Sequence, residues 1–160
     1  MIQRVYIDTS VVGGIYDEGF DVFTKMFFDK AFRGEIKLII SELLEEELIN
    51  APGRVKDFFR TLPAKQLELV RLTKEAIELA EMYINEKVVG ETSRADCRHI
   101  ALATLNTADV LVSWNFQHTC LPAGRSLTLK ELEVIILLTY GKDFTHFEIR
   151  SPQELMEYEN

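Results

Sequence analysis

The sequence predicts one α/β domain, with a central, mostly parallel sheet of about five strands covered by helices on both faces in three layers. Three observations predict it. Short runs of strand-favouring apolar residues alternate with amphipathic helical stretches along the whole chain. The runs Val5-Tyr6-Ile7, Leu38-Ile39-Ile40 and Val110-Leu111-Val112 suit strands buried on both faces. No repeat, low-complexity tract or linker interrupts the 160 residues, a length that buries a full core without disulfide or metal staples.

Taken in order, the first strand runs into Asp8-Thr9-Ser10, and Gly13-Gly14 breaks the chain. Phe20 to Arg33 reads as a helix with Phe23, Phe27 and Ala31 on one face and Gly34 as its stop. After the Leu38 strand, Ser41 caps a helix carrying Glu42, Glu45, Glu46 and Glu47, ended by Ala51-Pro52-Gly53. Val55 to Thr61 is a further short helix, and Leu67 to Leu72 a third strand. Thr73 opens a helix whose face is Ile77, Ala80, Tyr83 and Ile84, and Gly90 interrupts it. Thr92 or Ser93 begins a helix through Asp96 and Ile100, followed by the Val110 strand and a loop at Leu121-Pro122-Ala123-Gly124. The capping box Thr128-Leu129-Lys130-Glu131 predicts a helix over 128–140. Phe147 to Arg150 is the last strand, and Ser151-Pro152-Gln153-Glu154 opens a terminal helix. The expected organisation is residues 1–150 as the domain body, with 151–160 a short C-terminal helix and tail of the same domain.

Composition narrows the function classes. No apolar run approaches a membrane span, and the N-terminus lacks the pattern of an export signal. Cys97 and Cys120 form no disulfide framework or spaced thiolate site, so a reducing, cytoplasmic setting is expected. The net charge of -8 argues against broad electrostatic binding to nucleic acid, yet is compatible with an acidic cluster that needs a divalent metal before it tolerates phosphate.

Sites in parallel sheets gather at the carboxyl ends of the strands. Asp8 follows the first strand, Glu47 lies in the helix after the second, Asp96 opens a later helix and Asn115 follows the Val110 strand. Each has an ordinary reading too: Asp-Thr-Ser makes turns and N-caps, and acids early in a helix suit its dipole. An all-oxygen anionic set suits Mg²⁺ or Mn²⁺, whereas zinc would want His or Cys. His99, His118 and His146 have no ligand-like spacing, and His99 on the Asp96 helix reads as a packed or hydrogen-bonded histidine rather than a ligand. An aspartyl-nucleophile phosphatase would want a second Asp at position 10, which is Ser10, and no Walker-type loop is present.

Four segments, in order and spanning nearly the whole chain, then resemble the PIN-domain family, the metal-dependent ribonucleases that include VapC-type toxins. They are Tyr6-Ile7-Asp8-Thr9-Ser10, Ile40-Ser41 through Glu47-Leu48, Asp96-Cys97-Arg98-His99-Ile100-Ala101, and Val112-Ser113-Trp114-Asn115-Phe116. One subgroup with Ser-Trp-Asn-Phe and Glu-Ile-Arg-Ser-Pro is especially similar. The resemblance implies a PIN-like fold and a catalytic set of Asp8, Glu47, Asp96 and Asn115. Asp8 and Asp96 would hold Mg²⁺ or Mn²⁺, Glu47 would help position a second metal or the attacking water, and Ser10 and Ser113 would support the site. Arg94, Arg98 and His118 are candidate phosphate contacts, although lone Arg residues on an acidic protein are more often solvated or ion-paired. The same resemblance implies an RNA substrate, a small antitoxin partner and a homodimer. Asn115 stands where the family commonly has a fourth acid. That departure leaves an alternative: a catalytically weak or inactive PIN-like module that binds RNA or a protein.

Overall fold

Val5, Tyr6 and Ile7 alternate across the middle of a sheet with both faces covered, and all three are fully buried. The computed structural model describes residues 1–85, 94–115 and 148–157, with the backbone at 120–121 and 125–126. Chain order is β1 (Gln3–Ile7), α1 (Thr9–Gly14), α2 (Asp21–Phe32), β2 (Ile36–Ser41), α3 (Glu42–Leu48), α4 (Gly53–Thr61), a 3₁₀ turn (Ala64–Gln66), β3 (Leu67–Val70) and α5 (Lys74–Asn85). There follow α6 (Arg94–Leu105), β4 (Val110–Val112), β5 (Cys120–Leu121), β6 (Arg125–Ser126), β7 (Glu148–Arg150) and α7 (Pro152–Glu157). Five strands form one parallel sheet in the order β3-β2-β1-β4-β7. β5 and β6 make a separate antiparallel pair.

The alternation of β1, β2 and β4 builds two cores. Val5, Ile7, Leu38, Ile40, Val110 and Val112 face one side, against residues from α1, α2, α4 and α7 such as Val12, Phe28, Val55 and Leu155. Tyr6, Ile39 and Leu111 face the other, against Ala76, Leu79, Tyr83, Ile100 and Leu102 of α5 and α6. Burying each large apolar side chain contributes about 1.5–3 kcal/mol, which decides the register because a one-residue slip would exchange the two faces. Phe28 joins α2 to α4 by an edge-on contact with Phe58, with ring centroids 4.9 Å apart.

Helix α7 begins as its sequence signature requires. Ser151 Oγ accepts from Glu154 N at 3.1 Å, and Glu154 returns a carboxylate to Ser151 N at 2.7 Å.

Several local expectations are corrected. Thr9 to Gly14 is helix α1 rather than a break, because Asp8 caps it and neither glycine there takes a positive φ. The buried stripe of α5 is Ala76, Leu79, Ala80 and Tyr83, whereas Ile77 and Ile84 are only half-buried. The third strand stops at Val70, two residues short of Leu72. Leu121 lies in a strand pair rather than a loop. The helix expected over 128–140, the Gly90 interruption, the α6 start at Thr92 or Ser93, and positions 116, 118 and 122–124 lie outside the described residues.

Candidate functional site

The strand order reverses at β1: the chain moves outward through β2 and β3, then returns to lay β4 on the other side of β1. A crevice forms at the carboxyl ends where neighbouring strands send their connections in opposite directions. Asp8 and Ser113 are the first residues beyond β1 and β4, and they meet there.

Asp8 is 1 % exposed and both its oxygens are engaged. Its extended backbone makes it the N-cap of α1, with Oδ1 accepting from Val11 N at 3.4 Å and from the Ser10 hydroxyl at 2.5 Å. Oδ2 accepts from the Ser113 hydroxyl at 2.5 Å. These hydroxyls are themselves held: Trp114 N donates to Ser10 Oγ at 3.0 Å, and Asn115 N donates to Ser113 Oγ at 3.0 Å. Burial pushes the Asp8 carboxyl pKa upward, opposed by the charge of His99 and the hydrogen bonds from Ser10, Ser113 and Val11; the net shift is up.

A second carboxylate stands beside it. Glu47, on the last turn of α3, accepts a hydrogen bond from the hydroxyl of Thr9, the neighbour of Asp8. Both Glu47 oxygens lie 3.3 Å from His99 Nε2. His99 Nδ1 lies 2.7 Å from the Tyr6 hydroxyl, which lies 2.9 Å from Ser41 Oγ. Ser41 caps α3 by accepting from Leu44 N at 3.1 Å. Desolvation works to raise the Glu47 pKa, but the hydrogen bonds from His99 and Thr9 and the charge of His99 outweigh it, so the group stays below its usual value.

The indole of Trp114 fastens the β4 end to the first core. Its Nε1 donates to Thr24 Oγ1 at 3.0 Å, and its ring sits 4.5 Å from that of Phe20. Gly14 lies beneath it: a Cβ there would fall 2.7 Å from Trp114 Nε1 and 2.9 Å from Cδ1.

The other expected residues are more scattered. Asp96 is half-buried in the first turn of α6, one turn before His99 and so on the same helix face. Residue Asn115 is exposed. Arg94 is ion-paired with Glu81 of α5, and Arg98 is half-buried, its Nε without a hydrogen-bond partner among the described residues. His118 lies outside the described residues. Among the described residues, no three His, Cys, Asp or Glu side chains converge to hold a metal ion. What is brought together is one carboxylate from β1 and one from α3, each held by hydroxyl or imidazole groups.

This donor set still fits a hard divalent cation. It offers carboxylate and hydroxyl oxygens and no thiolate, and Mg²⁺ is commonly held by one or two carboxylates with water. A cation would also offset the burial penalty on ionised Asp8. Sequence reasoning missed Tyr6, Thr9 and Ser41 as neighbours of the acids. The available signals were a polar ring in the middle of an otherwise aliphatic strand, and a histidine three residues after Asp96 on one helix face.

No family model matches the chain, and no curated protein matches it. Solved structures do. The toxin VapC20 of Mycobacterium tuberculosis, described as cleaving the sarcin-ricin loop, superposes with a TM-score of 0.52 at 13% identity, covering 67% of this chain and 86% of its own. VapBC2 of Rickettsia felis, solved bound to a DNA fragment from its promoter, gives a TM-score of 0.50 at 12% identity, covering 75% of this chain and 94% of that one. At such identities the likeness is one of fold. This chain therefore carries the PIN-like α/β fold of the VapC toxins.

Proposed function

We propose that this protein is an endoribonuclease dependent on Mg²⁺ or Mn²⁺ that hydrolyses phosphodiester bonds in RNA, and that it serves as the toxin of a toxin–antitoxin pair. The observation that carries the reading is Asp8: a carboxylate buried at the topological switch point, gripped by two hydroxyls and flanked by Glu47. Burying an ionisable group there costs stability, and such a cost is more usual at functional sites than in plain structural turns. The VapC structures share the fold around it.

In this reading Asp8 and Asp96 would hold the cation, with Glu47 at a second position, and a bound cation would supply acidification of water and charge compensation at the phosphate. Ser10 and Ser113 keep Asp8 in one rotamer, Glu47 orients water, and the Asn115 side chain orders solvent by hydrogen bonds. Arg98 and His118 are assigned to phosphate contacts. A small antitoxin partner and a homodimer go with the toxin role, as does a cytoplasmic setting. Among the described residues no helix is long and apolar enough to cross a membrane.

The test is a metal titration with labelled single-stranded RNAs. Cleavage that requires Mn²⁺ or Mg²⁺ and is lost in Asp8→Asn and Asp96→Asn supports the enzyme. Absence of cleavage by the parent at every metal concentration and on several RNAs refutes it, and favours a binding module in which Asn115 has replaced the acid needed for turnover.

A further inference from the structure

Glu47 faces a difficulty that its own helix does not solve. It sits at the end of a seven-residue helix, its side chain is 30% exposed, and a free glutamate would sample many rotamers. The groups that hold it come from elsewhere. We propose that His99, anchored through Tyr6 and Ser41, is the positioning residue that fixes the Glu47 carboxylate relative to Asp8. The proposal rests on the nuclease reading for its functional consequence, and on the hydrogen-bond geometry for the coupling itself.

The side chains form a closed circuit. Ser41 caps α3, α3 carries Glu47, Glu47 meets His99 Nε2, His99 Nδ1 meets Tyr6, and Tyr6 returns to Ser41. Tyr6 is two residues before Asp8 on β1, and His99 is three residues after Asp96 on α6. The circuit thus ties together the three elements that carry the acids. It is also rigid: Tyr6, Ser41 and His99 are at most 2% exposed, and the Tyr6 and His99 rings pack edge-on at 5.8 Å.

Proton placement supports the direction of the hold. If the Tyr6 hydroxyl donates to His99 Nδ1, the ring is the Nε2–H tautomer. If Tyr6 donates to Ser41 instead, Nδ1 must donate to Tyr6, and the ring keeps a hydrogen on Nε2 only as the imidazolium. Both of these forms aim an Nε2–H at Glu47, and the neutral Nδ1–H form is the one that does not. A ring bare at Nε2 would face the carboxylate with a lone pair and leave Glu47 without that donor. Partners that orient a ligating side chain commonly matter by roughly 10–100-fold in metal affinity or activity.

The choice of amide at position 99 separates positioning from packing. Glutamine can place its amide nitrogen near Nε2, whereas asparagine reaches only the Nδ1 position. The experiment compares the parent with His99→Gln, His99→Asn, Tyr6→Phe and, as a core control on α6, Leu102→Ala. The first measurement is the ¹⁵N resonance of the His99 ring in metal-free protein, with and without Glu47→Gln. The second is Mn²⁺ affinity by electron paramagnetic resonance, and the third is kcat against KM on RNA. The expected results are a moved Nε2 resonance in Glu47→Gln but not in Leu102→Ala, and Mn²⁺ affinity and kcat lowered roughly tenfold in His99→Asn and Tyr6→Phe. His99→Gln should stay within a few-fold of the parent, with KM little changed throughout. An unmoved His99 resonance in Glu47→Gln, or parent-like Mn²⁺ affinity in His99→Asn, overturns the proposal. Should the parent neither bind Mn²⁺ nor cut RNA, the nuclease reading fails by itself, and the ring resonance decides the coupling.

Discussion

Two adjacent glycines give opposite expectations, and the difference comes from a single indole. At Gly13 an added Cβ meets nothing within 4 Å, whereas at Gly14 it falls 2.7 Å from Trp114 Nε1, 2.9 Å from Trp114 Cδ1 and 3.0 Å from Thr24 Oγ1. Neither residue has a positive φ, so backbone conformation does not separate them. Gly13→Ala should therefore stabilise α1 by about 0.5–1 kcal/mol through lost unfolded-state freedom. Gly14→Ala must push a buried, hydrogen-bonded ring off its seat. Overpacking costs about 1–3 kcal/mol and the strained Trp114–Thr24 hydrogen bond about another 0.5–1.5 kcal/mol, offset by the same gain of about 0.5–1 kcal/mol from losing a glycine, so a net loss of about 2 kcal/mol is expected. For a chain of this length that lowers Tm by about 4–8 °C, read by circular dichroism under fixed metal-free conditions. Because Trp114 N also holds Ser10, the site should loosen together with the fold. Equal Tm values for Gly14→Ala and the parent would refute the reasoning, as would a destabilised Gly13→Ala.

Three further outcomes follow from the same geometry. Because the folded state raises the Asp8 pKa, its ionised form costs stability that is absent below the unfolded pKa and grows as pH rises through the folded value. Asp8→Asn should then remove this pH-dependent loss, so that metal-free stability changes less between acid and neutral pH than in the parent, and on the nuclease proposal it should abolish cleavage; an unchanged pH profile in urea melts would contradict it. Thr24→Val removes the acceptor of the buried Trp114 N–H and should cost about 1–3 kcal/mol in urea melts, against no loss if the indole finds another partner. The hydrogen bond and ion pair with Arg4 hold the Glu68 pKa down, so its contribution is present above the unfolded pKa and lost as pH falls through the folded one. With both partners about a third exposed that contribution is under about 1 kcal/mol, and Glu68→Gln should lower the neutral plateau by that small amount, leave stability at low pH unchanged and so flatten the acid limb slightly.

The sequence by itself determined the class of the fold and pointed to the strand ends where the candidate site is proposed. Apolar runs such as Val5-Tyr6-Ile7 and Val110-Leu111-Val112 suit buried strands, and the polar residues that end them fall where parallel sheets build sites. The Ser41 and Ser151 caps were legible because capping chemistry is local. What only the tertiary structure decided is everything that depends on which strand lies beside which. β4 returning to pair with β1 brings Ser113 to Asp8 across more than a hundred residues, and α6 packing on the second face delivers His99 to Glu47. Helix α1 escaped the reading because two adjacent glycines look like a break until the space beneath Trp114 shows why position 14 has no room for a side chain. Local patterns carry propensity, but contacts between distant segments depend on packing two faces of one sheet at once, and no short window of sequence contains that.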